Sequence, residues 1–138
     1  NHLPDLLQAP LNVFDRRLLT SGWLAHLNTA GVEVHVRSVF LQGLLLMSPA
    51  ERPVKFNHWQ RHWDTWDSWI NEQGITPIEA CLGFVLNFPE ISRVVVGVDS
   101  LDQFKEILQA AKAGPREVPE GLMMTDTVLI NPSNWNKL

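Results

Sequence analysis

The residues best placed for chemistry lie between an apolar run and a helix start, at residues 94–103, which read VVVGVDSLDQ. Three successive valines are typical of a strand buried on both faces in a parallel sheet. Gly97 then permits a tight turn or a close backbone approach, and Ser100 with Gln103 forms a capping-box pattern that starts a helix. Free N–H groups and the helix dipole favour a phosphate at such a corner. Taken alone, the same pattern also describes an ordinary strand–helix corner with nothing bound.

Other reactive side chains are weaker candidates. His58 and His62 are four residues apart and could share a metal ion, but no third ligand lies near them in sequence. We therefore expect a pair on a helix surface and no metal site. Cys81 lies in an apolar helical pattern, which favours an inert core thiol over a nucleophile. A small complete enzyme built on His35 and Arg37 at the mouth of a sheet is an alternative with little support.

Length, charge and composition exclude several classes of protein. The 138 residues fit a single domain with its own core. The formal net charge of −4, with scattered basic residues, gives no footprint for nucleic acid. The longest apolar run, residues 39–47, contains Gln42 and Gly43 and is too short to span a bilayer. One cysteine fits a reducing compartment, so we expect a cytoplasmic protein with no nucleic-acid or membrane partner.

Apolar spacing predicts alternating strands and helices along residues 1–113, followed by an ordered or loosely packed tail at 114–138. Such alternation implies parallel strands with right-handed crossovers, and three strands are too few to close a barrel. The predicted strands are residues 6–12, residues 32–40 and a buried strand that starts at Val94. The predicted helices start at Asp15, Lys55, Thr76 and Ser100. Residues 41–47 are predicted to form a loop or a short helical turn.

The helix predicted over residues 55–73 carries an aromatic stripe at three- and four-residue steps. Its members are Phe56, Trp59, Trp63, Trp66 and Ile70. We interpret the stripe as part of the core or of an interface, in preference to a surface that binds a ligand. If it is exposed, the stripe adds apolar surface to a three-stranded sheet that already has two open edges. The unpaired N–H and C=O groups of such edges favour pairing with other chains. We therefore expect a homo-oligomer, most simply a two-fold dimer.

Four stretches resemble motifs of the aldo/keto reductase family. Residues 7–12 (LQAPLN) resemble its "LQxxYN" strand, and residues 37–45 (RSVFLQGLL) resemble "YSPLxxGLL". Residues 76–82 (TPIEACL) resemble "SPAQxAL", and residues 95–106 (VVGVDSLDQFKE) resemble "IPGxSSxxQLxEN". Each is weak alone, but their common order and spacing is specific. The resemblance implies an α/β chain that forms the C-terminal half of a (β/α)₈ TIM-type barrel, with about three parallel strands and flanking helices.

The resemblance also implies an activity, hydride transfer between NAD(P)H and a carbonyl compound, and positions that contact the cofactor. Gln8 falls where the family holds the nicotinamide carboxamide, and Arg37 where an aromatic residue stacks on the nicotinamide ring. The family's loop along the pyrophosphate corresponds to Ser38, Phe40, Gln42 and Gly43. Its pocket for the adenosine and the 2′-phosphate corresponds to Gly97, Val98, Ser100, Gln103 and Glu106.

Several positions depart from the family pattern. Arg37 is not aromatic, although a guanidinium plane can lie on a ring. Gly97 and Gln103 replace basic residues that many members place around the 2′-phosphate, and Asp99 adds negative charge, so NADP(H) and NAD(H) both stay open. Ile107 stands where an adenine-binding asparagine often stands.

The family's catalytic Asp, Tyr, Lys and His belong to the other half of the barrel, and this sequence contains no tyrosine. We therefore expect the cofactor-binding portion of an NAD(P)H-dependent reductase, with no catalytic residue of its own and weak or no cofactor binding in isolation. The chain starts at Asn1 almost directly before a strand, which we interpret as a truncated or proteolysed form that lacks its N-terminal half. The alternative is a natural, catalytically silent half-barrel used for binding or assembly.

Overall fold

The computed structural model describes residues 2–138, in which three strands form one parallel sheet in the order β1–β2–β3. Strand β1 (Leu6–Pro10) pairs with β2 (Glu33–Arg37), with Pro10 opposite Arg37. Strand β3 (Arg93–Val94) pairs with the other side of β2. Within the described residues the sheet does not close into a barrel, and its carboxyl ends share one edge.

Helices connect and cover the strands. The α-helices are α1 (Arg17–Thr20), α2 (Trp23–Thr29), α3 (Gln60–Gln73), α4 (Pro77–Val85), α5 (Leu101–Ala113) and α6 (Thr127–Ile130). Short 3₁₀ turns occupy Leu44–Leu46, Val54–Trp59, Glu120–Leu122 and Pro132–Lys137. Among residues 2–138, none of the helices has the length and apolar character needed to cross a membrane.

Helix α4 begins as its sequence predicts. Thr76 Oγ1 accepts a hydrogen bond from the Glu79 N–H at 3.1 Å, and Glu79 Oε1 accepts one from the Thr76 N–H at 3.3 Å. These reciprocal bonds satisfy two donors that the first turn otherwise leaves free. The capping box at Thr76 is therefore confirmed.

The predicted single helix after Asp15 is wrong, because the structure contains two short helices. Gly22 lies between α1 and α2 with φ of 79°, a left-handed conformation that ends one helix before the next begins. The Asp15 carboxylate accepts a hydrogen bond from the Arg17 N–H at 3.2 Å, at the start of α1. Trp23, the first residue of α2, is 53% exposed.

The strand predicted to be fully buried is also different. Strand β3 spans only Arg93–Val94, and Val95 and Val98 are 43% and 47% exposed. The physical reason is its place at the edge of the sheet, where it has a neighbouring strand on one side only. Apolar runs of this length predict burial but cannot distinguish a central strand from an edge.

The aromatic stripe is buried inside this chain, which confirms the predicted role in the core and rules out the alternative role as exposed interface. Trp63 and Trp66 are each 1% exposed. Their rings lie 5.1 and 5.8 Å from the ring of Phe14, between centroids. The first five residues of the predicted helix belong to the 3₁₀ turn Val54–Trp59, and α3 follows it and ends before Gly74.

Residues 114–138 wrap over the core. The Phe14 carbonyl accepts a hydrogen bond from the Met124 N–H at 2.8 Å, and Trp59 Nε1 donates to Asp126 Oδ2 at 3.0 Å. The rings of Phe56 and Trp135 meet edge to face, with centroids 4.9 Å apart. The side chains this segment adds to the core are Leu122, Leu129 and Ile130.

Candidate functional site

A cavity of about 410 Å³ opens where β2 and β3 end. Carboxyl ends of parallel strands are the usual location of ligand sites in α/β folds, because loops from several strands converge there. The loop after β2 forms one wall and the segment between β3 and α5 forms the other. The residues that line it are Arg37, Ser38, Val39, Phe40, Gln42, Gly43, Leu46, Val95, Val96, Gly97, Asp99 and Gln103.

The loop after β2 has an unusual backbone. Ser38, Leu41 and Gln42 adopt left-handed conformations with φ of 57°, 50° and 55°, and Gly43 follows with φ of 83°. Left-handed geometry costs non-glycine residues about 1–2 kcal/mol each, so surrounding contacts must hold the loop in place. Leu41 is fully buried, and the Leu45 N–H donates to the Phe40 carbonyl at 3.1 Å. Strained backbone of this kind is concentrated at functional sites.

Buried Asn12 connects the end of β1 to this loop. Its Oδ1 accepts hydrogen bonds from the N–H groups of Phe14 and Asp15 at 3.0 and 2.8 Å. Its Nδ2 donates to the Ser38 carbonyl at 3.0 Å. One side chain therefore fixes the ends of two neighbouring strands relative to each other.

The opposite wall is the start of α5. Ser100 Oγ accepts a hydrogen bond from the Gln103 N–H at 3.1 Å, as the capping-box pattern predicts. The reciprocal bond goes one residue further back, because Gln103 Oε1 accepts from the Asp99 N–H at 2.9 Å. A Cβ atom added at Gly97 would meet no atom within 4 Å, and its φ is outside the left-handed range. Packing within the described chain therefore does not require glycine there.

One cation and one acid line the cavity, at opposite walls. Arg37 makes a long 3.4 Å contact from Nη1 to Ser38 Oγ and forms no ion pair within residues 2–138. Asp99 lies beside the start of α5. The nearby His35 is not part of the lining, and its Nε2 contacts Glu33 Oε1 at 2.7 Å.

The remaining reactive side chains serve the core. His62 Nε2 donates to the Leu122 carbonyl at 2.9 Å, and burial lowers the pKa of this imidazole. Burial raises the pKa of the Cys81 thiol, which keeps it protonated and unreactive. Across residues 2–138, the structure contains no group of three or more His, Cys, Asp or Glu side chains that could hold a metal ion.

The cavity gathers many of the residues singled out in the sequence, but not all of them. Val98 and Ser100 belong to the same corner without lining the cavity. Gln8 lies on β1 opposite His35, away from it. Glu106 faces a separate groove between α4 and α5. The seven that the structure brings together are Arg37, Ser38, Phe40, Gln42, Gly43, Gly97 and Gln103.

Sequence reasoning missed part of the lining. Val39, Leu46, Val95 and Val96 supply apolar wall, and Asp99 was considered only as a nearby charge. The signal that could have found them is position, since each lies within nine residues of the end of β2 or β3. The apolar character of the valines and the leucine does not distinguish a cavity wall from the core, because both residue types are equally expected in the core.

Comparison with known families identifies the chain. No curated protein matches it. The model of the aldo/keto reductase family matches residues 3–116, which include the three strands, α1 to α5 and the whole cavity lining. The matched segment is far more than half of the 138 residues. The chain therefore belongs to the aldo/keto reductase family.

Proposed function

We propose that this chain supplies the cofactor-binding side of an NAD(P)H-dependent oxidoreductase that reduces carbonyl compounds or oxidises alcohols. The observation that supports this most directly is the convergence on one cavity of seven residues that the family resemblance assigns to the dinucleotide. They come from sequence stretches about sixty residues apart, and no local pattern required them to meet.

The chemistry of the lining fits a dinucleotide. Ser38, Gln42 and Gln103 offer hydroxyl and amide groups for ribose and phosphate oxygens, and Arg37 offers a planar cation. Open space in front of Gly97 allows a ligand to approach the backbone closely. The chemistry that such a cofactor supplies is hydride transfer to or from a carbonyl carbon.

We assign the residues of the chain to three parts of the ligand. The guanidinium plane of Arg37 would lie against the nicotinamide ring, where other members place an aromatic residue. The Ser38–Gly43 loop would follow the pyrophosphate. The corner from Gly97 to Gln103 would hold the adenosine end. That end carries Asp99 and no basic lining residue, so we expect NADH to bind at least as well as NADPH.

Catalysis needs groups that the resemblance does not place on this chain. The family's proton donor is a tyrosine, and the sequence contains none. We therefore expect the 138-residue chain to bind nucleotide without oxidising NADH in the presence of carbonyl compounds. Turnover that is lost in an Arg37→Ala variant would contradict this expectation.

Titration of the chain with NADH, followed by nicotinamide fluorescence and by calorimetry, tests the binding proposal. We expect a dissociation constant of about 100 μM or weaker, equivalent to roughly −5.5 kcal/mol, because half of the family's site is not in this sequence. Gly97→Val fills the open space at the cavity wall and should abolish the signal. Gly121→Val is the matched control, since a Cβ at Gly121 also meets no atom within 4 Å but lies outside the cavity.

The opposite results would be equally clear. Failure of NADH and NADPH to bind, or binding that Gly97→Val leaves unchanged, would contradict the proposed cofactor role. The assembly-module alternative would then account better for the retained fold.

A further inference from the structure

A second, smaller cavity of about 270 Å³ lies where β1 and β2 end. The residues after the strands form its floor, and the segment Ile130–Ser133 forms its opposite side. Arg37, Ser38 and Gln42 line both this cavity and the larger one. These three residues therefore separate two adjoining spaces.

The residues that line the smaller cavity carry positive charge and no negative charge. Its lining includes Arg17 and Arg37, the polar side chains of Asn12, Asn131 and Ser133, and no Asp or Glu. A small space with two guanidinium groups and several amide and hydroxyl groups has the composition of an anion site, because Arg donors match carboxylate and phosphate oxygens.

The two arginines differ in what already holds them. Arg17 forms a bidentate pair with the buried Asp15, from Nε to Oδ1 at 2.9 Å and from Nη2 to Oδ2 at 2.8 Å. This pair orients the Arg17 side chain and leaves its Nη1 hydrogens unused. Arg37 has only the long contact with Ser38 Oγ, so most of its donors are available to a ligand.

Hydrogen bonds hold much of the remaining polar lining in place. Asn12 makes three hydrogen bonds that fix the strand ends. Asn131 Oδ1 accepts hydrogen bonds from the Ser133 hydroxyl at 2.8 Å and the Ser133 N–H at 3.3 Å. These bonds leave the Asn131 Nδ2 group as a further donor. Preorganised donors of this kind bind an anion without first having to be ordered.

We propose that this cavity binds the carboxylate or phosphate group of a small molecule, with Arg37 as its principal donor. A guanidinium group has a flat face and an edge of N–H donors, so Arg37 can face a ring in the larger cavity and donate from its edge into the smaller one. That the anion belongs to the substrate of the reductase, making that substrate an anionic carbonyl compound, rests on the proposed function. The anion site itself rests only on the charges of this cavity.

Side-chain NMR of the ¹⁵N-labelled chain tests the proposal through the arginine Nε–H signals. The probes are sodium pyruvate, inorganic phosphate and uncharged acetone, added at constant ionic strength. We expect saturable shifts of the Arg37 signal with an anion and no shift with acetone. Arg37→Gln should weaken anion binding at least tenfold, whereas Arg61→Gln, which removes an exposed charge on α3, should leave it unchanged.

The two anions distinguish the sources of the ligand group. Tighter binding of pyruvate supports a carboxylate, and tighter binding of phosphate supports a phosphate. Shifts of the Arg37 signal that do not saturate, or shifts of the Arg17 signal that stay unchanged in Arg37→Gln, would overturn the site. The wild-type Arg37 signal keeps the test decisive even if the variant does not fold.

NADH titration of the same sample separates this inference from the proposed function. Anion binding without NADH binding would leave the anion site standing and overturn the cofactor role. NADH binding without anion binding would overturn the anion site alone.

Discussion

Two glycines on the wall of the larger cavity differ in their backbone geometry. Gly43 has φ of 83°, which side-chain-bearing residues rarely adopt, while a Cβ there would meet no atom. Gly97 has neither a left-handed backbone nor a crowded Cβ position. Gly43 therefore serves the fold, and Gly97 is free to serve a ligand.

Substituting alanine at each glycine should separate these roles. We expect Gly43→Ala to lower the free energy of unfolding by about 1–2 kcal/mol, the cost of left-handed geometry with a Cβ. Gly97→Ala should stay within about 0.5 kcal/mol of the wild type, as is usual for exposed positions without special geometry. Urea denaturation measures both. Equal destabilisation by the two changes would contradict this interpretation.

His62 should make stability depend on pH. Its pKa is lowered in the folded chain by burial, only partly offset by the hydrogen bond to Leu122. The unfolded chain therefore binds the proton more readily, and stability falls as pH drops below the unfolded value of about 6.5. Urea denaturation at pH 7.5, 6.5 and 5.5 should show this loss, and it should be smaller in His62→Gln. His58→Gln, which replaces an exposed imidazole four residues earlier, should retain it.

Among the secondary-structure elements, those with local chemical signals were predictable. The capping box at Thr76 and the cap at Ser100 are both present. The break at Gly22 was missed because apolar spacing continues across it. Burial of β3 was overestimated, because burial depends on neighbouring strands that a local pattern does not specify.

The candidate site was predictable to a similar degree. Residues 37–43 and the corner at Gly97 carried motif signals, and the structure brings them together. The smaller cavity was not predictable, since it requires Ile130–Ser133 to fold back over the strand ends. That return path depends on hydrogen bonds such as Met124 to Phe14, between residues more than a hundred positions apart.

Helix α4 offers a test of the capping assignment. Thr76→Ala removes a side chain that accepts a hydrogen bond from Glu79 and should cost about 1 kcal/mol of stability. Thr65→Ala, on the exposed middle of α3, should be neutral or slightly stabilising because alanine favours helix. Thermal or urea unfolding of both variants measures the difference. A neutral Thr76→Ala would mean that packing alone holds the start of α4.

At the scale of the whole molecule, the sheet has two edges that no strand within residues 2–138 pairs with. Strand β1 borders an apolar groove of about 490 Å³ that includes Leu18 and Trp23. Beyond β3, Val98 and Phe104 are 47% and 43% exposed. Unpaired strand edges beside apolar surface favour association with another chain.

We therefore still predict that the chain self-associates, on the strength of these edges and without the aromatic stripe. A stable contact would bury about 800 Å² on each partner. Sedimentation equilibrium over a hundredfold concentration range measures the mass, and Trp23→Glu should shift it towards the monomer. Trp69→Glu, a half-buried tryptophan away from this groove, is the comparison. A monomeric mass at every concentration would contradict the prediction.

The packing of residues 114–138 also affects the order in which the core forms during synthesis. A ribosome adds about 5–20 residues per second, so residues 117–138 follow the family-matched segment by about one to four seconds. Until they arrive, Phe56 lacks the Trp135 ring and Trp59 lacks the Asp126 carboxylate. The nascent chain therefore carries an uncovered aromatic surface during this interval, and these contacts form only after residues 117–138 have left the ribosome.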